Sequence, residues 1–82
     1  MTKQVILQEL KSLVYENFGI EIFDISKSLF SFDIGFVPRD LVKLVMLIEH
    51  KFNVKFSESE LGRDEFDCLE EMSAIIYAHL VD

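Results

Sequence analysis

The stretch from Asp33 to Phe52, DIGFVPRDLVKLVMLIEHKF, constrains this chain more than any other. Leu41, Leu44, Val45, Ile48 and Phe52 recur at the spacing of one helix face, so the segment must bury a single apolar stripe. Proline is tolerated in a helix only where its missing N–H would be unpaired anyway, which places Pro38 at the helix start. It pushes Val37 toward an extended conformation, and valine offers no side-chain acceptor for the first amides. Asp40 compensates, because a carboxylate in the first turn is favourable with the helix dipole. Phe36 and Leu41 occupy the positions of a hydrophobic staple across that start. Asn53 ends the helix. Val42 and Met46 lie beside the stripe, next to a polar face carrying Arg39, Lys43 and His50. They read either as packing at the flank of a bundle or as exposed docking residues.

The remaining elements follow from caps and periodicity. Thr2 is placed to cap a first helix through Phe18, with Ile6, Leu7, Leu10, Leu13, Val14 and Phe18 on its apolar face and Gly19 as its C-terminal glycine. Residues 19–37 show no clear period, yet ten of the nineteen are apolar and four are phenylalanine. That composition predicts a long loop laid over the core, with a short helical turn near Ser26 to Leu29. Gly19-Ile20-Glu21-Ile22 alternates like a strand but has no evident partner. After an extended Val54-Lys55-Phe56, Ser57 and Glu60 form a capping box for a short helix stopped by Gly62. Asp67, with Glu70 three residues on, predicts a cap for a last helix to about Leu80, its inner face Leu69, Met72, Ser73, Ile76 and Leu80. The expected fold is all-α: a small four-helix bundle of three main helices and one short one, with a long first loop, as a single domain over residues 1–82.

Charge and length exclude several classes of function. The net charge of −7 argues against nucleic acid, whose binding rests on Lys and Arg neutralising phosphates. No apolar run, Leu44 to Ile48 included, exceeds five residues, against about 20 needed to span a bilayer. The N-terminus lacks the apolar core of a signal peptide. The single cysteine, Cys68, makes no internal disulfide and fits a reducing compartment. A soluble, cytoplasmic and monomeric protein is the expectation, without membrane insertion.

Phe30-x-x-Asp33-Ile34-Gly35, followed by Asp40-x-Val42-x-Leu44-Val45-Met46-x-x-Glu49-x-x-Phe52, resembles the acyl carrier protein family pattern F-x-x-D-L-G-x-D-S-L-D-x-V-E-L-V-M-x-L-E-E-x-F. The match continues through Phe52-Asn53-Val54-Lys55-Phe56, similar to the family's F-D-I-E-I link, and helix lengths, total length and acidity agree. The resemblance implies a carrier bundle that docks on biosynthetic enzymes. In its register the family's D-S-L becomes Val37-Pro38-Arg39. That serine is the family's attachment point for 4′-phosphopantetheine, and its place suits a phosphate because a helix N-terminus favours an anion. Pro38 has no hydroxyl with which to form the phosphodiester. Ser31, seven residues upstream, is the nearest substitute, and using it would destroy every match from Asp33 onward; Ser26 and Ser28 are further away.

The charge pattern departs too. The resemblance implies an acidic second helix, but residues 38–52 carry Arg39, Lys43 and Lys51 against Asp40 and Glu49, a net of +1 with His50 neutral. The acid lies instead between Ser57 and Glu71, where Glu58, Glu60, Asp64, Glu65, Asp67, Glu70 and Glu71 face only Arg63. That cluster lacks the spacing of a calcium loop and reads as a solvated face. Cys68, His50 and His79 are the only candidates for nucleophilic or metal chemistry, and no Cys/His metal spacing joins them. The expected function is therefore a non-enzymatic carrier-like interaction module without phosphopantetheine or metal, in a specialised biosynthetic or peptide-maturation system. Its partners would be biosynthetic or modifying enzymes, and its docking candidates Phe36, Val37, Arg39, Val42, Lys43 and Met46. Phe36 serves equally as the staple. The alternative is a working acyl or peptidyl carrier of fatty acid, polyketide or peptide biosynthesis that uses an unconventional serine.

Overall fold

Among the described residues four helices follow from the caps and stripes: α1 (Lys3–Phe18), α2 (Pro38–Phe52), α3 (Glu58–Leu61) and α4 (Leu69–Val81). The computed structural model describes residues 1–62 and 66–81. Thr2 caps α1, its hydroxyl accepting the Val5 N–H at 3.2 Å. Gly19 closes it at φ 69°, a left-handed conformation that costs glycine nothing. The buried face Ile6, Leu10, Leu13 and Val14 packs against α4 and, less extensively, α2. Among the described residues there is no strand, and the segment from Gly19 to Ile22 runs without a sheet partner.

The loop over residues 19–37 lies over the core as expected, but through only one of its four phenylalanines. Its buried anchors are Ile22, Leu29 and Phe36, seven residues apart. Phe23 is 84% exposed, and Phe30 and Phe32 are exposed as well. Each anchor is followed by an outward residue: Phe23 after Ile22, Phe30 after Leu29, Val37 after Phe36. Instead of a helical turn at Ser26 to Leu29, two tight turns form. In one, Lys27 N–H bonds Asp24 O at 3.2 Å; in the other, Ser31 N–H bonds Ser28 O at 3.0 Å.

The loop is fastened to the start of α4. Leu29 N–H donates to Asp67 O at 2.7 Å, and Glu70 N–H to Ile25 O at 3.0 Å. The Ser28 hydroxyl donates to the Asp67 carboxylate at 2.6 Å. These bonds correct the expected cap of the last helix. Asp67 is committed to the loop, α4 begins at Leu69, and the first helical carbonyl is that of Cys68, which accepts Met72 N–H at 3.1 Å. The inner face of α4 also differs. Ile75 is buried and Leu80 is 38% exposed, because this segment is apolar on nearly every side and its period singles out no face.

In α2 the stripe is seated as its spacing requires, with Leu44, Val45, Ile48 and Phe52 buried and Leu41 half-buried. Asn53 ends the helix at φ 54°. The Glu49 carboxylate then accepts Phe56 N–H at 3.0 Å, which turns the chain toward α3. In α3 the capping box forms as read: Ser57 Oγ accepts Glu60 N–H at 3.2 Å and Glu60 Oε1 accepts Ser57 N–H at 2.9 Å. No residue of α3 is buried. Glu60 also ties α3 to α4, since His79 Nε2 lies 2.9 and 3.1 Å from its two carboxylate oxygens. The His79 ring meets Phe56 edge-on at 5.5 Å, and Phe56 meets Phe66 at 5.2 Å.

Candidate functional site at the start of helix two

Val37 holds φ −108° and ψ 164°, the extended geometry that a following proline imposes. With no acceptor on valine, only half of a capping box exists: the Asp40 carboxylate takes the Val37 N–H at 3.1 Å. Gly35, at φ 79°, brings the chain around, its N–H bonded to Ser31 O at 2.7 Å. Val37, Pro38 and Arg39 are all exposed, and none carries a hydroxyl.

Phe36 does not belong to this exposed set. It is only 4% exposed, with its ring 4.8 Å from that of Phe18. It anchors the end of the loop, and the partner-patch alternative for its ring is closed by burial. Val42 and Met46, by contrast, are 61% and 64% exposed, so flank packing does not hide them. Lys43 Nζ stands 5.3 Å from the Phe18 ring, a cation–π position that leaves its charge at the surface. Val42 and Met46 line a mainly apolar cleft of about 340 Å³ between α2 and α3, with Leu41, Val45, Glu49, Leu61 and Phe66. The periodicity of α2 alone did not reveal this cleft, because part of its wall, Leu61 and Phe66, comes from residues after Phe56.

The loop serines are disposed differently from one another. Ser26 donates to the Asp24 carboxylate at 2.6 Å, and Ser28 to that of Asp67. The Ser31 hydroxyl oxygen is shut off from solvent, without a hydrogen-bond partner among the described residues. Ser26 is exposed, and none of the three stands at the start of a helix.

The other reactive candidates stay apart. Cys68 is buried, and burial pushes its thiol up; the N–H groups of Glu71 and Glu70 pull the other way, while the charges of Asp67 and Glu71 add to the rise. A thiol held protonated is a poor nucleophile. His50 is exposed on α2, whereas His79 is engaged with Glu60. Among the described residues, no three His, Cys, Asp or Glu side chains gather as metal ligands, and no helix is long and apolar enough to cross a membrane. Of the acidic cluster, Glu58 and Glu70 are exposed, while Glu60 and Asp67 are spent on internal bonds. Arg63, Asp64 and Glu65 lie outside the described residues.

Comparison with known proteins finds a relative among carrier proteins. An acyl carrier protein of Cyanidioschyzon merolae (strain NIES-3377 / 10D) is 38% identical over 60 residues, which span 72% of this chain and 66% of that protein. No family model matches the chain. No solved structure matches it either.

Proposed function

The chain belongs to the acyl carrier protein family, and from that membership we propose that it is a carrier-fold interaction module that works without 4′-phosphopantetheine. The observation that carries this reading is Pro38 at the first position of α2, the position to which the resemblance assigns the family's attachment serine. A phosphodiester needs a hydroxyl, and Val37-Pro38-Arg39 supplies none. Proline also withdraws one backbone N–H from the end of the helix that would hold the phosphate. The residues at this helix start do not fit the group, and the buried hydroxyl of Ser31 is not a replacement for it.

What remains is a helical scaffold with an exposed helix face. Its partners are biosynthetic or peptide-modifying enzymes that bind the fold rather than a tethered acyl chain. In this reading the protein carries out no catalysis of its own, which the burial of its one thiol and the placement of its histidines on different helices support. The test is incubation of the full chain with coenzyme A and a permissive phosphopantetheinyl transferase, read by intact mass. An unchanged mass is expected. Gain of one phosphopantetheine, mapped to any serine, overturns the reading in favour of a working carrier with an unconventional site.

A further inference from the structure

The chain leaves α1 through a stretch whose backbone groups are unpaired. Among the described residues, the N–H and C=O groups of Ile20, Glu21, Ile22 and Phe23 make no hydrogen bond to backbone or side chains. The side chains alternate: Ile22 is buried and Ile20 half-buried, while Glu21 and Phe23 are exposed. An extended backbone gives this two-residue period. Two hollows meet along the stretch. One, of about 400 Å³, lies toward α1, with Tyr15 and Glu16 in its wall. The other, of about 260 Å³, lies toward the turn where Lys27 and Asp33 pair. Glu21 and Phe23 border both. The charges around them are Glu16, Glu21, Asp24 and Asp33 against Lys11 and Lys27, a net of −2. The Asp24 carboxyl stays ionised, held below its ordinary value by the hydroxyl and the amide of Ser26.

We propose that this stretch binds an extended, arginine-bearing segment of a partner protein, laid alongside Ile20 to Phe23. The proposal deepens the reading above, of a module that binds other proteins, and rests on it. Unpaired main-chain groups on an extended stretch are a template for a second extended chain, whose alternate side chains then enter the hollows. The surroundings of Phe23 select a cation. A guanidinium stacks on an aromatic face and forks to a neighbouring carboxylate, which a lysine ammonium does less well. A second copy of this chain is disfavoured, because pairing two such stretches brings together two patches of net charge −2. An anionic lipid surface is repelled for the same reason.

The test titrates a peptide, N-acetylated and C-amidated Thr-Arg-Val-Arg-Val-Arg-Thr, into the isotopically labelled full chain, followed by amide NMR and amide hydrogen exchange. Three further peptides serve as comparisons: one with lysine for every arginine, one with glutamate, and the arginine peptide with alternate main-chain amides methylated. Thermal melts establish that each protein variant is folded. The expected result is saturable shifts centred on residues 20–23, with slower amide exchange there. Affinity should fall by about tenfold in Phe23→Ser and in Glu21→Lys, weaken with salt, and stay unchanged in Met46→Ser on α2. The lysine peptide should bind more weakly, the glutamate peptide not at all, and the methylated peptide should lose the slowed exchange. No saturable shift at millimolar peptide, shifts centred on α2, equal binding of the arginine and lysine peptides, or binding indifferent to Phe23→Ser overturns the proposal. Self-association of the free chain that Phe23→Ser abolishes gives the stretch to a second copy and overturns it too. The mass assay with coenzyme A is independent of this outcome. A phosphopantetheine adduct removes the reading of a cofactor-free module and leaves the peptide titration standing, and a failed titration leaves the mass result standing.

Discussion

Ser28 donates its hydroxyl to the carboxylate of Asp67 at 2.6 Å, across 39 residues of chain and in a half-buried setting. Two backbone bonds, from Leu29 to Asp67 and from Glu70 to Ile25, flank it. Together they make a side-to-side fastening that holds the long loop on α4 without any regular structure in the loop. Ser28→Ala leaves the carboxylate short of its donor while the backbone bonds remain. Removing one partner of a half-buried, charge-assisted bond costs about 1–3 kcal/mol. Urea denaturation should show that loss. A drop below about 0.5 kcal/mol would mean that water replaces the hydroxyl freely.

The exposed phenylalanines of the same loop should behave in the opposite way from its anchors. Leu29 is fully buried, and Leu29→Ala should cost about 2–5 kcal/mol through lost contact and the cavity left behind. Phe32 is fully exposed, and Phe32→Ser should leave stability within about 0.5 kcal/mol. Matched thermal or denaturant melts of the two variants decide the point.

These two positions also show what was legible in the sequence. Helix spacing located α1, α2 and the stripe of α2, because a 3.6-residue period and a local cap are both short-range properties. The capping box of Ser57 and Glu60 was read for the same reason. The loop was not legible in this way. Its composition showed that it must touch the core, yet only the seven-residue spacing of Ile22, Leu29 and Phe36 separates inward from outward side chains. Asp67 looked like a helix cap because the sequence cannot reveal a serine 39 residues away that competes for its carboxylate. At the site, Pro38 was visible at once. That Asp40 and Glu49 spend their carboxylates internally was not, since each bond depends on how the backbone turns next to the helix.

Gly35 sets the direction in which the chain arrives at α2. A side chain added there meets no atom within 4 Å, but φ 79° is strained for any L-residue. Gly35→Ala should therefore cost about 1–3 kcal/mol from backbone strain alone, and Gly35→Asn less, because asparagine tolerates the left-handed region. Equal losses in the two variants, measured by denaturation, would place the cause elsewhere.

The attachment of α3 should depend on pH through Glu60. The Ser57 amide holds the Glu60 carboxyl below its ordinary value, with further help from the His79 and Ser57 side chains against a rise from burial. A carboxylate whose pKa is lower in the folded than in the unfolded state binds protons first in the unfolded state. Its contribution is present above the ordinary glutamate value and is lost as pH falls through the lower, folded value. Thermal melts across the acid range should show wild-type stability falling there, with a shallower fall in Glu60→Gln. A parallel fall in the two proteins would assign the acid sensitivity to other carboxylates.

Placing at the helix start the residues that the resemblance assigns to it separates fold from chemistry. Pro38→Ser combined with Arg39→Leu supplies the missing hydroxyl at the first position of α2 and removes a basic side chain beside it. The backbone there is already in place, since Val37 is extended and its N–H is capped by Asp40. The double variant should gain one phosphopantetheine from coenzyme A and a permissive transferase, while the parent stays unmodified by intact mass. Modification of the double variant alone means that the bundle is competent as a carrier and only the nucleophile is missing. If it too resists, Lys43 is the next residue to test, because Lys43→Glu in that background would remove a positive charge that a basic transferase surface meets on α2.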